Sequence, residues 1–397
     1  MFAWEQRKLG DVANFSKGTG YSKSDLKGTG SPIILYGRLY TKYETIIRNV
    51  DSFVVPKSGS VFSKGGEVIV PGSGETAEDI SIASVVEPAG ILLGGDLNII
   101  YPNSDLDPTF LAITISNGKP HFDMARRAQG KSIVHLHNAD LKHISLKTPN
   151  LSEQKRISKI FEVLDQTITL HEEKKRQLER LKSALLQKMF ADKSGYPAVR
   201  FKGFDDIWDQ EKLNSLVRLH RGLTYSPNNV QDSGIRVLRS SNILDGQFVM
   251  TDDDIFVKSS VVNIPTVKDG DILITAANGS IKLVGKHAII SGISENTAVS
   301  GGFMLVGSSR IPDFVNSLFD TSWYQRFIRK YVTGGNGSIG NLKKNDLDKQ
   351  YVKVPTTSEQ GRIGEFFREI DQLIINNQIK HEKLLELKKF LLQNMFI

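Results

Sequence analysis

The sequence predicts an α+β protein in which two similar mixed α/β domains are separated by two long antiparallel helices forming a coiled coil. Three observations carry this prediction: an internal repeat at an offset of 204 to 206 residues, short β-branched runs inside each repeat, and a heptad-like apolar stripe closing each one.

The repeat is plainest where SEQKRISKIFEVLDQ begins at Ser152 and SEQGRIGEFFREIDQ at Ser358, 206 residues later. Trp4 and Trp208 open WEQRKLGDV and WDQEKLNSL, 204 apart. Ser132-Ile133 matches Ser338-Ile339, Asp140-Leu141 matches Asp346-Leu347, Pro149 matches Pro355, and LLQKMF and LLQNMF end at Phe190 and Phe396. The expected organisation is a first domain over 1–150, a first spacer helix over 151–191, a second domain over 192–356 and a second spacer helix over 357–397.

Within the domains, Val68-Ile69-Val70, Ile272-Leu273-Ile274 and Tyr351-Val352-Lys353-Val354 read as strands between Gly, Asn and Ser turns. DPTFLAITIS in the first domain and IPDFVNSLFDTSWYQRFIRKYV in the second read as one helix each. In the spacers, Ile157, Phe161, Leu164, Ile168, Leu178 and Leu185 follow steps of three and four, and so do Ile363, Phe367, Ile370, Ile374, Leu384 and Leu391. Leu181, Met189, Leu387 and Met395 extend the two stripes, which turn polar midway at His171 and Lys175 and at Asn377 and His381. That polar waist either fixes register or docks another protein. Ser152 and Ser358 are the expected N-caps, with Glu153 and Glu359 in the first turn. A helix of this length spans roughly 57 Å. Because the first spacer ends where the second domain begins and the second starts where that domain ends, a compact second domain makes the pair antiparallel, with a domain at each end.

Composition narrows the function. With 397 residues, 39% hydrophobic and 24% charged, the chain is globular and too long for one core. A net charge of +7 permits a polyanionic partner without requiring one. The absence of cysteine excludes disulfides, thiolate zinc sites, iron–sulfur clusters and cysteine nucleophiles, and fits a reducing compartment. MFAWEQRKLGDVANF has no apolar secretory core and no run of 18 apolar residues occurs, so the expectation is a cytoplasmic protein with no membrane partner.

Catalytic motifs are not found. GNGSIG at Gly335–Gly340 follows a helical stretch, whereas a dinucleotide fingerprint follows a strand and opens a helix. GSGETAED at Gly72–Asp79 lacks the Lys-Ser/Thr of a phosphate loop. His135 and His137, with His121 and His143, do not make a recognisable ligand set, and no metal or cofactor is expected. LDPTF at Leu106–Phe110 only superficially resembles the Asp-Pro-Pro-Tyr of adenine methyltransferases, and Pro312-Asp313 has no Glu-x-Lys at a usable distance.

Residues suited to binding remain. The first domain offers Lys17, Tyr21, Lys23, Tyr36, Arg38 and Tyr40, then Ser73, Glu75 and Thr76, then Arg126, Arg127, Lys131 and Ser132. The second offers Arg221, Tyr225, Arg236, Arg239, Ser241 and Asn242, then Asn278, Ser280 and Lys282, then Arg326, Arg329, Lys330, Asn336, Ser338, Lys343 and Lys344. Cations beside glycine-rich backbone clamp phosphates, and Arg and Asn read base edges in the major groove. The plain alternative for each is a solvated surface charge or a polar turn.

This layout resembles the DNA-specificity subunit of type I restriction-modification systems. The resemblance covers nearly the whole chain: the W-x-x-x-K-L openings, YGRLYTKY and VLRSSNI, GGEVIVPGSGETAEDI and DGDILITAANGS, the Gly-Ser-Ile loops, and above all the repeated Ser-Glu-Gln helix opening. It implies that each domain is a target recognition domain reading one half of a bipartite asymmetric site in double-stranded DNA. It further implies that the helices space the domains and dock two methyltransferase subunits that bind S-adenosylmethionine, with cleavage assigned to ATP-dependent motor-nuclease subunits. The chain itself would then be non-catalytic. One departure is that PAVRFKGFDDIWDQ precedes the second domain and only MFAWEQ the first, so an edge contact of the second would be missing or replaced in the first. The competing class is an interaction scaffold whose domains bind proteins, and steeply salt-dependent DNA binding separates the two.

Overall fold

A computed structural model describes residues 4–130, 132–332 and 339–396. The chain forms two compact units, Met1–Glu172 with Gln378–Ile397, and Glu173–Asn377. Each unit holds one mixed α/β domain, the N-terminal part of one long helix and the C-terminal part of the other.

In the first unit, Val68-Ile69-Val70 is the centre of strand Glu67–Pro71, buried on both faces, which is why it reads as a continuous apolar run. The five-stranded sheet runs in the order Ala13–Lys17, Leu97–Pro102, Glu67–Pro71, Ser84–Val86, Ile46–Ile47, antiparallel except for the last pair. Val68, Val70 and Ile100 pack against Phe110 and Leu111 of helix Pro108–Ser116. Ile69 and Ile99 face the other way, toward Ile34 and Leu93 of a three-stranded sheet.

The second unit repeats this plan with a central sheet of four strands. Its antiparallel sheet runs Arg218–Arg221, Met304–Ser308, Ile272–Thr275, His287–Ile289. Ile272 and Ile274 pack with Phe314 and Phe319, while Leu273 and Val306 pack with Leu238 and Ala298 of a second four-stranded sheet. Where one helix was expected over 311–332, two occur, Pro312–Phe319 and Ser322–Tyr331, parted at Thr321, whose hydroxyl caps the Leu318 carbonyl at 2.7 Å. The first unit has the same pair, Pro108–Ser116 and Gly118–Arg127, parted at the extended Asn117, after which Gly118 takes φ +64°.

The long helices are Leu151–Met189 and Thr357–Met395. Both start before the expected serine caps: Ser152 lies inside the first turn, and the Asn150 carboxamide accepts from the Glu153 amide at 2.9 Å. The shared work of the two Ser-Glu-Gln openings falls instead on Gln154 and Gln360, both buried, which donate to the Pro149 and Pro355 carbonyls at 2.9 and 2.6 Å. The glutamate partners differ. Arg200 makes a two-pronged pair with the fully buried Glu359 at 2.7 Å, whereas Glu153 accepts from the Trp4 indole at 3.2 Å. In the first unit the Trp4 indole thus holds the glutamate whose counterpart Arg200 holds in the second.

The matching LLQ-x-MF endings have a packing reason. Phe396 sits 6.2, 5.9 and 5.9 Å from Trp4, Phe110 and Phe161. Phe190 sits 6.0, 5.6 and 6.1 Å from the equivalent Trp208, Phe314 and Phe367. In each unit the C-terminal end of one helix therefore packs on the N-terminal part of the other, in an antiparallel sense. Lys388 pairs with Asp165 in the first unit and Lys182 with Asp371, at 2.7 Å, in the second. Of the stripe, Ile157, Phe161, Leu164, Ile363, Phe367 and Ile370 are buried, and Ile168, Leu178, Leu185, Ile374, Leu384 and Leu391 are half-buried. Leu181 and Leu387 depart from it and stand 49% and 44% exposed. No helix among the described residues is long and apolar enough to cross a membrane.

Candidate nucleic-acid interface

In the first unit the strand Glu67–Pro71 runs out into Gly72-Ser73-Gly74, and a backbone ladder ties that exit to the distant Gly-Ser-Ile hairpin. Ser73 pairs with His135 and Gly74 with Val134, and the Leu136 amide donates to the Gly72 carbonyl at 3.0 Å. Gln129 and His135 exchange amide bonds of 3.0 and 2.8 Å, closing the hairpin. The Tyr40 hydroxyl donates to the Ser73 carbonyl at 2.7 Å and brings a third loop to the same place, and burial pushes that phenol far above its ordinary pKa.

The second unit repeats the device in the same register. Ala277 pairs with Asn341 and Asn278 with Gly340, and the Leu342 amide donates to the Ala276 carbonyl at 2.7 Å. Here the third loop is held by Asn278, whose carboxamide donates to the Ser240 hydroxyl at 3.1 Å. Three segments distant in sequence thus meet at the end of the central sheet twice over, on the same backbone and with different side chains.

Glycine makes the neighbouring loops possible. A Cβ on Gly18 or on Gly222 would lie 1.9 Å from the carbonyl oxygen of Gly94 or Gly301. The chain after the first sheet strand is therefore pressed against the turn opposite it in both units.

The expected contact residues divide by what their side chains already do. Lys17, Lys23, Tyr36, Glu75, Thr76, Arg126 and Ser132 of the first unit are exposed, as are Arg221, Ser241, Ser280, Lys282, Arg326, Arg329, Lys330 and Lys343 of the second. Lys131, Asn336 and Ser338 lie outside the described residues.

Four others are consumed within the fold, which revises the expectation for them. Tyr21 is 9% exposed, and its hydroxyl bonds Ser60 and accepts from the Lys57 amide at 2.7 Å. The Arg38 guanidinium holds Asp51, Glu44 and the Asn49 carbonyl at 2.9, 2.6 and 3.0 Å. Ser73 is buried against the His135 ring at 3.1 Å. Asn242 is fully buried, donating to the Val249 carbonyl and Asp254 at 3.0 and 2.8 Å and accepting from the Arg239 amide at 2.7 Å.

Several more are partly engaged. Arg236 pairs with Asp254 and lies over the Phe256 ring, Arg239 donates to the Asp253 carbonyl at 2.6 Å, and Arg127 and Lys344 pair within their own helices with Asp123 and Asp348. Tyr225 is half-buried among Val237 and Val257.

Motifs that superficially suggested chemistry have structural duties. Asp107 of LDPTF caps helix Pro108–Ser116 through the Phe110 amide at 2.9 Å and accepts from Ser158. His135 and His137 stack with centroids 6.4 Å apart, and His121 bonds the Ser81 carbonyl at 2.7 Å. Among the described residues no three His, Cys, Asp or Glu side chains converge as a metal-binding group would. Phe303, 65% exposed on the turn beside Ala276 and Ala277, is not among the expected contact residues, whose only aromatic members are tyrosines; a lone Phe after two glycines gives no signal in the sequence.

Comparison with known proteins agrees with this twofold construction. The family profile described as the type I restriction modification DNA specificity domain matches residues 1–180 and again 205–388. The specificity subunit of the type I restriction enzyme MjaVIII of Methanocaldococcus jannaschii is 21% identical over 401 aligned positions, covering 97% of this chain and 90% of that protein. The EcoKI specificity subunit of Escherichia coli is 23% identical over 390, covering 93% and 82%. Among solved structures, the S subunit of a type I restriction-modification system from M. genitalium superposes with a TM-score of 0.65 at 13% identity, over 99% of this chain and 96% of that one. A chain from a structural study of type I system assembly and conformational transition gives 0.51 at 16% identity, over 99% and 97%, and both likenesses concern the fold. With its two halves each matched by the same profile, the chain belongs to the family of the type I restriction-modification DNA specificity domain.

Proposed function

We propose that this chain is the specificity subunit of a type I restriction-modification complex, and that each domain reads one half of a bipartite, asymmetric site in double-stranded DNA. The observation that carries the reading is the repeated ladder: the same backbone junction is followed by the exposed Glu75 and Thr76, with Ser132 in the hairpin, in one unit, and carries Asn278, Ser280 and Lys282, with Lys343 after its partner strand, in the other. Two copies of one domain would read a palindrome, whereas two differing domains on one framework read an asymmetric sequence. Exposed cations at the rims supply phosphate contacts that set position without sequence.

In this reading the long helices set the distance between the half-sites and dock two methyltransferase subunits, which carry S-adenosylmethionine and perform adenine methylation. ATP-dependent motor-nuclease subunits complete the complex, and the chain itself catalyses nothing. Exposed apolar side chains on the helices support docking: Leu170 and Leu181 on the first, and Leu373, Ile379, Leu387 and Phe390 on the second, are each 42% to 61% exposed.

Removing one heptad from both helices tests the spacer role. It shortens each helix by about 10 Å, so the preferred gap should contract by about three base pairs. An unchanged gap in the methylated motif refutes the spacer role.

A further inference from the structure

We propose that Phe303 is a specificity-determining residue of the second domain, making an apolar contact with the 5-methyl group of a thymine in the major groove of its half-site. This rests on the DNA-reading function proposed above and deepens it.

Phe303 is the third residue of the turn Gly301–Met304, which the Met304 amide closes onto the Gly301 carbonyl at 2.8 Å. Its own carbonyl is fixed twice, accepting from the Ala276 and Ala277 amides at 2.8 and 2.9 Å. The backbone is therefore rigidly placed, yet the residue is 65% exposed. A single exposed Phe means little by itself; its position is what matters. On one side the turn continues into the strand that pairs Leu305 with Arg221, and on the other it grips the two residues before Asn278. Phe303 thus stands between the strand ends that carry an exposed arginine and the ladder asparagine.

The first unit keeps the carbonyl contact of this turn to the strand exit and changes both the backbone conformation at this residue and its chemistry. Its turn Gly94–Leu97 places Asp96, at φ +57°, where the second has Phe303, and the Asp96 carbonyl accepts from the Gly72 amide at 2.6 Å. A carboxylate at a major-groove edge accepts from a cytosine amino group, whereas a phenyl ring matches the thymine methyl. Exchange of one for the other at the same place in the fold is what two domains reading different half-sites require.

The test uses the full chain in complex with its modification subunits, after its methylated motif has been mapped and the second domain's half-site assigned by exchange of residues 1–150. Each thymine of that half-site is replaced singly by deoxyuridine, which lacks only the 5-methyl. One replacement should weaken wild-type binding about fourfold, the worth of one buried methyl, and leave Phe303→Ala unaffected. Thymines of the first half-site should give equal losses in both proteins. Phe303→Leu, which keeps an apolar side chain on the same turn, should retain part of the discrimination. Unchanged non-specific, salt-dependent binding should report that the variants are folded. A second half-site without thymine, or equal responses of wild type and Phe303→Ala to every replacement, overturns the proposal and leaves DNA reading intact. A wild-type complex that binds no duplex sequence-specifically overturns the reading beneath it.

Discussion

The loop over residues 36–51 in the first unit is organised around a cation, and its counterpart over 239–254 in the second around an anion. Arg38, its side chain 10% exposed, gathers Asp51, Glu44 and a carbonyl, whereas Asp254, 1% exposed, gathers Arg236, Asn242 and Thr251. Around these opposed centres almost everything that joins domain to helix is the same: the Gln–Pro carbonyl bond, the Phe–Trp–Phe cluster, the Lys–Asp pair and the ladder register. The difference teaches that duplication kept the joints and rebuilt the loops. On the proposed function, a framework that docks and spaces is constrained, and loops that read different sequences are free to find new internal solutions.

The largest expected break in this comparison is at the one joint that is not alike. Arg200→Ala leaves the buried Glu359 carboxylate without its partner, a loss on the order of 3–5 kcal/mol. Trp4→Phe removes one hydrogen bond from the more accessible Glu153 and should cost about 1 kcal/mol. Hydrogen exchange followed separately in each unit would show the asymmetry, and equal losses would mean that the two joints are equivalent after all.

Gly18→Ala and Gly222→Ala should instead behave alike. Each drives a methyl group into a backbone carbonyl and should cost its own unit about 3 kcal/mol. A tolerated substitution in either unit would show that its loop relaxes where the other cannot.

The smallest effect is in acid. Burial raises the Asp254 carboxyl, but hydrogen bonds from Asn242, Thr251 and Arg236 outweigh it and hold it below the ordinary carboxylate range. A carboxyl whose folded pKa is depressed stabilises the fold above its unfolded pKa of about 4, and that stability is lost as pH falls through the folded value. Asp51 of the first unit is also held low, chiefly by Lys42, but it is exposed and solvent screens it. Amides over 239–254 should therefore lose protection on acidification before those over 36–51, and Asp254→Asn should flatten the difference.

The framework was legible because repetition and periodicity can be read without knowing any contact. Trp4 and Trp208, Gln154 and Gln360, and Phe190 and Phe396 announce their equivalence by spacing alone. The break between Phe319 and Ser322 was not legible, since Asp320-Thr321 looks like an ordinary polar pair on a helix surface and only the folded backbone shows Thr321 capping the turn before it. The contact residues were legible by type more than by role. Arg, Asn, Ser and Tyr in a loop bond their own loop as readily as a ligand. Nothing in the sequence says that Asp51 folds back onto Arg38 or Asp254 onto Asn242.

Mapping methylated adenines across a host genome, with this chain co-expressed with its modification subunit, tests the central claim most directly. The account predicts a bipartite, asymmetric motif with a fixed gap, in which exchanging residues 1–150 changes one half and leaves the other. A continuous or palindromic motif, or an exchange that alters both halves together, would contradict it.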